Sequence, residues 1–382
     1  MDPPAAACKM NMAHAAVDRH VHGGRAAHPA LVFRTDEGRR LSISYRELMD
    51  QSSRFANLLA ALAVDAGEVV AVHAGRIPAL YVAALGTWKR RCVFCPLFSA
   101  FGPEPVFHRL HLSRAVVLIT TRQLYHRNVE GLLSRLPHLR HVLITDDPEP
   151  ADNDPPCLPR LLSDSAAAYA IEPTDSEARA TLHFTSGTTG MPKGAVHVHA
   201  AAQTHYETGR SVFHFQPDDI FWCTADPGWV TGTSYGILAP LLHGITNVVD
   251  AQEFDLQRWY RILAEERVSV WYTSPSAIRR LMRQPGQPCR QFDLSRLRLI
   301  ASVGEALHPE AVHWARKALG LPIIDTWWQT ETGGIMLSSA AAPQIRAGSM
   351  GWPLPGIQAA VAERGPGQAL RLIEEPERVG EL

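Results

Sequence analysis

Short apolar runs rich in Val, Ile and Phe alternate with longer segments of helical periodicity along most of this chain. Val69 to Val72, Cys92 to Leu97, Ala115 to Thr120 and His141 to Thr145 read as strands, with Pro78 to Trp88 and Glu104 to Leu112 as helices between them. A second series places strands at Phe221 to Ala225, Asn247 to Asp250, Val270 to Thr273, Leu297 to Ser302 and Pro322 to Thr326. Its helices run from Leu256 to Glu266, Ser276 to Met282 and Pro309 to Leu319. Such alternation predicts an α/β architecture with largely parallel sheets, whose ligands sit near the carboxyl ends of strands. Ser44 and Glu47 form a capping box ahead of a helical stripe through Leu48, Phe55, Leu58, Leu59 and Leu62. Residues 1 to about 30 carry few periodic apolar positions and are expected to wrap the surface. Asp146 to Pro159, rich in Asp and Pro, reads as a linker or exposed loop.

Charge excludes several functional classes. The 37 Lys and Arg against 38 Asp and Glu leave a net charge of -1, which offers no electrostatic case for nucleic acid or an anionic membrane. No apolar stretch approaches the ~18 to 20 residues of a membrane helix. The N-terminus lacks the order of a secretory signal, so a cytosolic (cytoplasmic) location is the default expectation. Cys92 and Cys95 suggest neither zinc nor redox chemistry, because on a strand their thiols face opposite ways and no second pair is spaced to join them. His197 and His199 share a strand face without an acidic or Cys cluster, and read as structural.

Four stretches carry chemistry. Thr185-Ser-Gly-Thr-Thr-Gly-Met-Pro-Lys-Gly194 lies between two strand-like runs, Ala180 to Phe184 and Ala195 to Val198. Its glycines, hydroxyls and lysine can bring N–H groups and a cation against a polyphosphate, although the order is not that of a Walker A loop. Asp325-Thr-Trp-Trp-Gln-Thr-Glu-Thr-Gly-Gly334 follows the last clear strand. There Asp can accept from an exocyclic amine, Trp can stack, Thr can bond a phosphate oxygen and Glu can hold Mg²⁺. Cys223 to Gly236 and Ser302-Val-Gly-Glu-Ala306 are two further strand ends turning over glycine.

In this order, the four stretches resemble the large N-terminal part of the AMP-forming acetyl-CoA synthetase group, within the adenylate-forming acyl-CoA ligase superfamily. The resemblance runs from about residue 15 to the end, through Asp18-Arg-His20, Pro96-Leu-Phe98, Trp229-Val-Thr-Gly232 and the Trp327-Trp328 pair. It implies two packed α/β subdomains over 31–347, then the start of a small β-barrel subdomain over 348–382. The family's mobile C-terminal domain, with its adenylation lysine, is expected to be absent from this chain, leaving it incomplete for full activity and with an exposed, association-prone apolar edge. A homo-oligomer is possible within the family.

The resemblance also implies site residues. Thr185, Ser186, Gly187, Thr188, Thr189, Gly190 and Lys193 would cradle the β- and γ-phosphates of ATP, with Thr330 at the α-phosphate and Glu331 on Mg²⁺. Gly304, Glu305 and Ala306 would line one side of adenine, Trp327 the other, and Asp325 would face its amino group. Thr326 and Gln329 complete the nucleotide set. Val230, Thr231, Val303 and Trp328 would form the acyl pocket. The implied substrates are acetate, ATP and CoA; the rival readings are a ligase for propionate or another short-chain acid, and a catalytically silent nucleotide-binding fragment. Two departures from the family pattern stand out: Ala306 where proline is usual, and Lys89-Arg-Arg-Cys92 in place of a small, glycine-containing turn.

Overall fold

A computed structural model describes residues 10–35, 38–146, 154–185, 191–285, 288–365, 369–375 and 378–382. Two large sheets dominate it. The first has six strands in the order His141–Ile144, Val117–Thr120, Val69–His73, Val93–Leu97, Arg179–Thr185 and Lys193–Val198. All are parallel except the last, which folds back on its neighbour as an antiparallel hairpin.

The second has nine strands, and its middle is parallel in the order Ile323–Trp327, Leu299–Ser302, Val270–Thr273, Ile220–Cys223, Thr246–Asp250 and Pro29–Arg34. Antiparallel strands close both flanks: Arg40–Ser44 at one, Leu337–Ser338 and Trp352–Pro353 at the other. The sheets interleave in sequence, since Pro29–Arg34 pairs with Thr246–Asp250 across the whole first sheet. Asp146 to Pro159 accordingly sits inside one sheet's sequence, between its strands His141–Ile144 and Arg179–Thr185.

Local chemistry sets the elements between them. Helix Tyr45–Ala61 opens with the expected capping box: Ser44 Oγ accepts from Glu47 N at 3.2 Å, and Glu47 Oε2 accepts from Ser44 N at 2.7 Å. Its apolar stripe packs on helix Pro78–Lys89, which is buried all round, as its near-continuous apolar sequence requires. Cys92 and Cys95 fall in separate apolar clusters on the two sides of their sheet.

The N-terminal segment differs from the sequence expectation. Residues 12–25 are helical, and Met12, Ala13, Ala16, Val17 and Val21 are core residues rather than a surface wrapping. Alanine contributes too little hydrophobicity to give a periodic signal, yet it is among the residues most often buried.

Lys89 explains why this segment is tied down. It is fully buried, and its Nζ donates to Asp18 Oδ1 at 3.0 Å, to Ser53 Oγ at 3.0 Å and to Met49 O at 3.2 Å. The charged departure from the family turn is thus paired inside the fold, as a buried ammonium must be. Arg91 in the same turn takes φ of 63°, a left-handed conformation more easily adopted by glycine.

At the other end, Ala362–Arg364 and Leu370–Leu372 form a separate two-stranded hairpin. Leu370, Leu372, Val379 and Leu382 are exposed there, and Trp352 is exposed on the edge strand of the nine-stranded sheet, so apolar edges are present. Among the described residues, no helix is long and apolar enough to cross a membrane.

Candidate active site

Four neighbouring parallel strands of the nine-stranded sheet end side by side: Ile323–Trp327, Leu299–Ser302, Val270–Thr273 and Ile220–Cys223. After Ile220–Cys223 the chain crosses to one side of the sheet, and after Val270–Thr273 to the other. Loops diverging at such a switch point leave a crevice. Two cavities open there, and they share Gly304, Glu305 and Trp328.

The smaller cavity, 410 Å³, is lined by Gly304, Glu305, Ala306, Asp325, Thr326, Trp327 and Trp328, among others. It therefore gathers the whole set that the sequence assigned to adenine. Strand backbone and hydroxyls hold its floor. Asp325 N donates to Ser339 Oγ at 2.8 Å, Ser338 Oγ donates to Asp325 O at 2.9 Å, and Thr326 Oγ1 donates to Ser302 O at 2.7 Å. Tyr272 Oη completes the chain by donating to Thr326 Oγ1 at 2.8 Å. Burial pushes the Asp325 carboxyl up to about 7, against the single hydrogen bond it accepts from Thr326 N. Glu305 is pulled the other way, first by its hydrogen bond with Ser276 and then by Arg279, whose Nη2 lies 2.5 Å from Oε2.

The larger cavity, 650 Å³, takes in Val230, Thr231, Val303 and Trp328, together with Gln329 and Thr330. It also includes residues that sequence reasoning missed: Arg76, Phe98, Asp226, Tyr272 and Thr273. Asp226 shapes the loop, accepting from Ser99 Oγ at 2.7 Å and from Gly228 N at 2.7 Å. The Asp-Pro-Gly sequence at 226–228 signals a turn, and it could have marked this residue. A Cβ at Gly228 would stand 2.3 Å from Phe98 Cα, so only glycine lets the two sheets' loops meet here. Phe98 and Trp229 then approach ring to ring at 5.3 Å. Trp328 meets Tyr235 edge to face at 5.1 Å, which fixes the indole as one wall.

The phosphate-loop residues Ser186, Gly187, Thr188, Thr189 and Gly190 lie outside the described residues. The strands on either side of them are described, and they set Thr185 opposite Lys193 at the loop end of the hairpin. Thr330 and Glu331 occupy a short 3₁₀ turn, Thr330–Thr332, beside the hairpin strand Lys193–Val198, with Glu331 exposed. One exposed carboxylate suits Mg²⁺, which keeps water and substrate phosphates as its remaining ligands. Among the described residues, no group of three His, Cys, Asp or Glu side chains could hold a metal by itself.

A still larger cavity, 840 Å³, lies elsewhere, between Leu41, Ile43, Arg54, Ile77, Thr145 and Leu162. It lies away from the four strand ends, so its size alone does not make it the reaction site.

The comparisons with known proteins point to one family. Residues 17–382 match the family model described as AMP-binding enzyme. Acetyl-coenzyme A synthetase of Bacillus subtilis is 38% identical over 356 residues, covering 93% of this chain and 62% of the relative. The Rubrobacter xylanophilus protein of the same name is 33% identical, covering 98% of this chain and 63% of that one. A crystal structure of Brucella canis acyl-CoA synthetase superposes with a TM-score of 0.87 at 27% identity, over 97% of this chain and 66% of the other. The chain thus spans about three fifths of the length of these curated relatives. By the extent of the family match and the identity to these relatives, the chain belongs to the AMP-binding enzyme family.

Proposed function

We propose that this chain carries the nucleotide- and acyl-binding half of an AMP-forming acetate–CoA ligase. The observation that carries the reading is the joining of the two cavities through Gly304, Glu305 and Trp328, which suits a ligand with a nucleotide at one end and a short acyl group at the other. Gly304 to Ala306 and Trp327 flank the adenine, while Asp325 accepts from its amino group. Thr185, Lys193 and the intervening loop take the β- and γ-phosphates, Thr330 takes the α-phosphate, and Glu331 holds Mg²⁺. Val230, Thr231, Val303 and Trp328 enclose the acyl group.

Acetate is a poor electrophile at pH 7, so activation comes first. Its carboxylate oxygen attacks the α-phosphorus, pyrophosphate leaves and acetyl-adenylate forms. The thiol of CoA then attacks the acetyl carbon, losing its proton as AMP departs, and acetyl-CoA results. The first step needs no protein nucleophile, because alignment and neutralisation of phosphate charge lower its barrier. The relatives named acetyl-coenzyme A synthetase support acetate as the acid.

Chain-length selectivity tests the reading. Alkyl esters of AMP are unreactive mimics of the acyl-adenylate. Affinity is expected to fall from the ethyl to the butyl ester, because each methylene forced against Trp328 costs about 1–3 kcal/mol. Trp328→Gly should reverse that order. Equal affinity for all esters in both proteins would count against an acyl pocket at Trp328. A preference for the propyl ester would move the assignment to propionate.

A further inference from the structure

The turn that carries Thr330 and Glu331 is suspended from side chains to which the sequence motifs gave no part in the site. A carbonyl oxygen can only accept, so the 2.7 Å contact between His197 Nε2 and Thr330 O places the ring proton on Nε2. His205 Nε2 donates in the same way to Gly333 O at 2.8 Å. Tyr235 Oη accepts from Ile335 N at 2.9 Å, so the turn is held at three successive points. Of the three, His197 alone comes from the hairpin that flanks the phosphate loop. It stands four residues after Lys193 on strand Lys193–Val198, and on a strand that spacing puts both side chains on one face. The ring of His183, on the other strand of the hairpin, packs against it at 5.4 Å between centroids. Burial favours the neutral imidazole at His197 and His205, leaving each ring a single N–H to donate.

We infer that His197 is a positioning residue that fixes the Thr330–Glu331 turn to the phosphate-loop hairpin, so that the two phosphate-binding elements keep one spacing. The inference rests on the nucleotide reading above and extends it. The two elements belong to different sheets, and His197 bridges them beside the place where a triphosphate would span the gap. The adenine cavity is walled by Gly304 to Ala306 and Trp327, none of which His197 bonds. Loss of its bond should therefore weaken the grip on phosphates and spare the nucleoside.

Calorimetric titration with Mg²⁺-ATP and, separately, with adenosine reads this difference. His197→Ala is expected to weaken ATP binding at least fivefold while leaving adenosine within twofold of the unsubstituted chain. His197→Gln, whose amide nitrogen stands where Nε2 does, is expected to restore ATP binding. Should the alanine variant not fold, His197→Asn replaces it, since its shorter amide falls short of Thr330 O. Equal losses for ATP and adenosine, or no rescue by glutamine, would assign His197 to packing and overturn the inference. Unchanged ATP affinity in the alanine variant would overturn it alone. An unsubstituted chain that binds neither ligand would overturn the nucleotide reading, and this inference with it.

Discussion

Asp325 illustrates how a single environment sets a residue's behaviour. Its carboxyl sits on the floor of the 410 Å³ cavity, where burial raises it to about 7, so without ligand it is largely protonated at pH 6. Donation from an adenine amino group, on the proposed reading, would stabilise the carboxylate and lower that value. Binding of adenosine at pH 6 should then release up to one proton, and calorimetry in buffers of different ionisation enthalpy counts it. Asp325→Asn should abolish the release, whereas proton uptake by the unsubstituted chain would contradict the assigned contact. Asp325 was legible in the sequence because it belongs to a dense motif. His197 was read only as structural, since a histidine on a strand carries no sign of a further role until the fold brings Thr330 O within 2.7 Å. Asp226 lay between: its turn was visible, but its bonds to Ser99 and Gly228 join segments more than a hundred residues apart and two residues apart, respectively.

Among elements, the loop after strand Ile220–Cys223 is the most constrained. A Cβ at Gly232 would stand 2.1 Å from Asp226 O, and that backbone carbonyl has no flexible end to move aside. Gly232→Ala should therefore displace the turn that carries Val230 and Thr231. The expected cost is about 1–3 kcal/mol of stability, with loss of ethyl-AMP binding. Urea unfolding and titration together check this; an unchanged midpoint with intact binding would show that the loop is looser than the packing implies. Most strands and helices were legible because their apolar periods are local properties, and the helix Pro309–Leu319 and the strand Val270–Thr273 fall where the pattern put them. Sheet order was not legible, since the pairing of Leu31 with Asn247 depends on contacts that no local window contains. The helical segment after Met10 was misread for a related reason: its alanines are buried by what packs on them, including the long-range Asp18–Lys89 pair.

The whole molecule carries an acid sensitivity written in its buried histidines. Burial lowers His20, His73, His199 and His243 to about 4, and His205 to about 3, from an ordinary 6.5. A base depressed in the fold is neutral there, while the unfolded chain takes up its proton as pH falls through 6.5. Each of the five therefore contributes stability that is present above 6.5 and declines toward pH 4, at about 1.4 kcal/mol per pH unit. Asp325 acts with the opposite sign, favouring the fold at lower pH across the interval from 3.8 to about 7, and the Asp226 carboxyl, also raised by burial, acts the same way, but these are two groups against five. The urea midpoint should fall markedly between pH 7 and pH 5, and a flat profile would mean that these rings are hydrated.

On the proposed reading, a nucleotide and a short acyl group share the crevice at the carboxyl ends of four adjacent strands. A crystal structure with the ethyl ester of AMP tests it most directly. Adenine is expected between Gly304–Ala306 and Trp327, with the ethyl group against Trp328. Density for the ester in the 840 Å³ cavity beside Arg54, with the crevice empty, would contradict it.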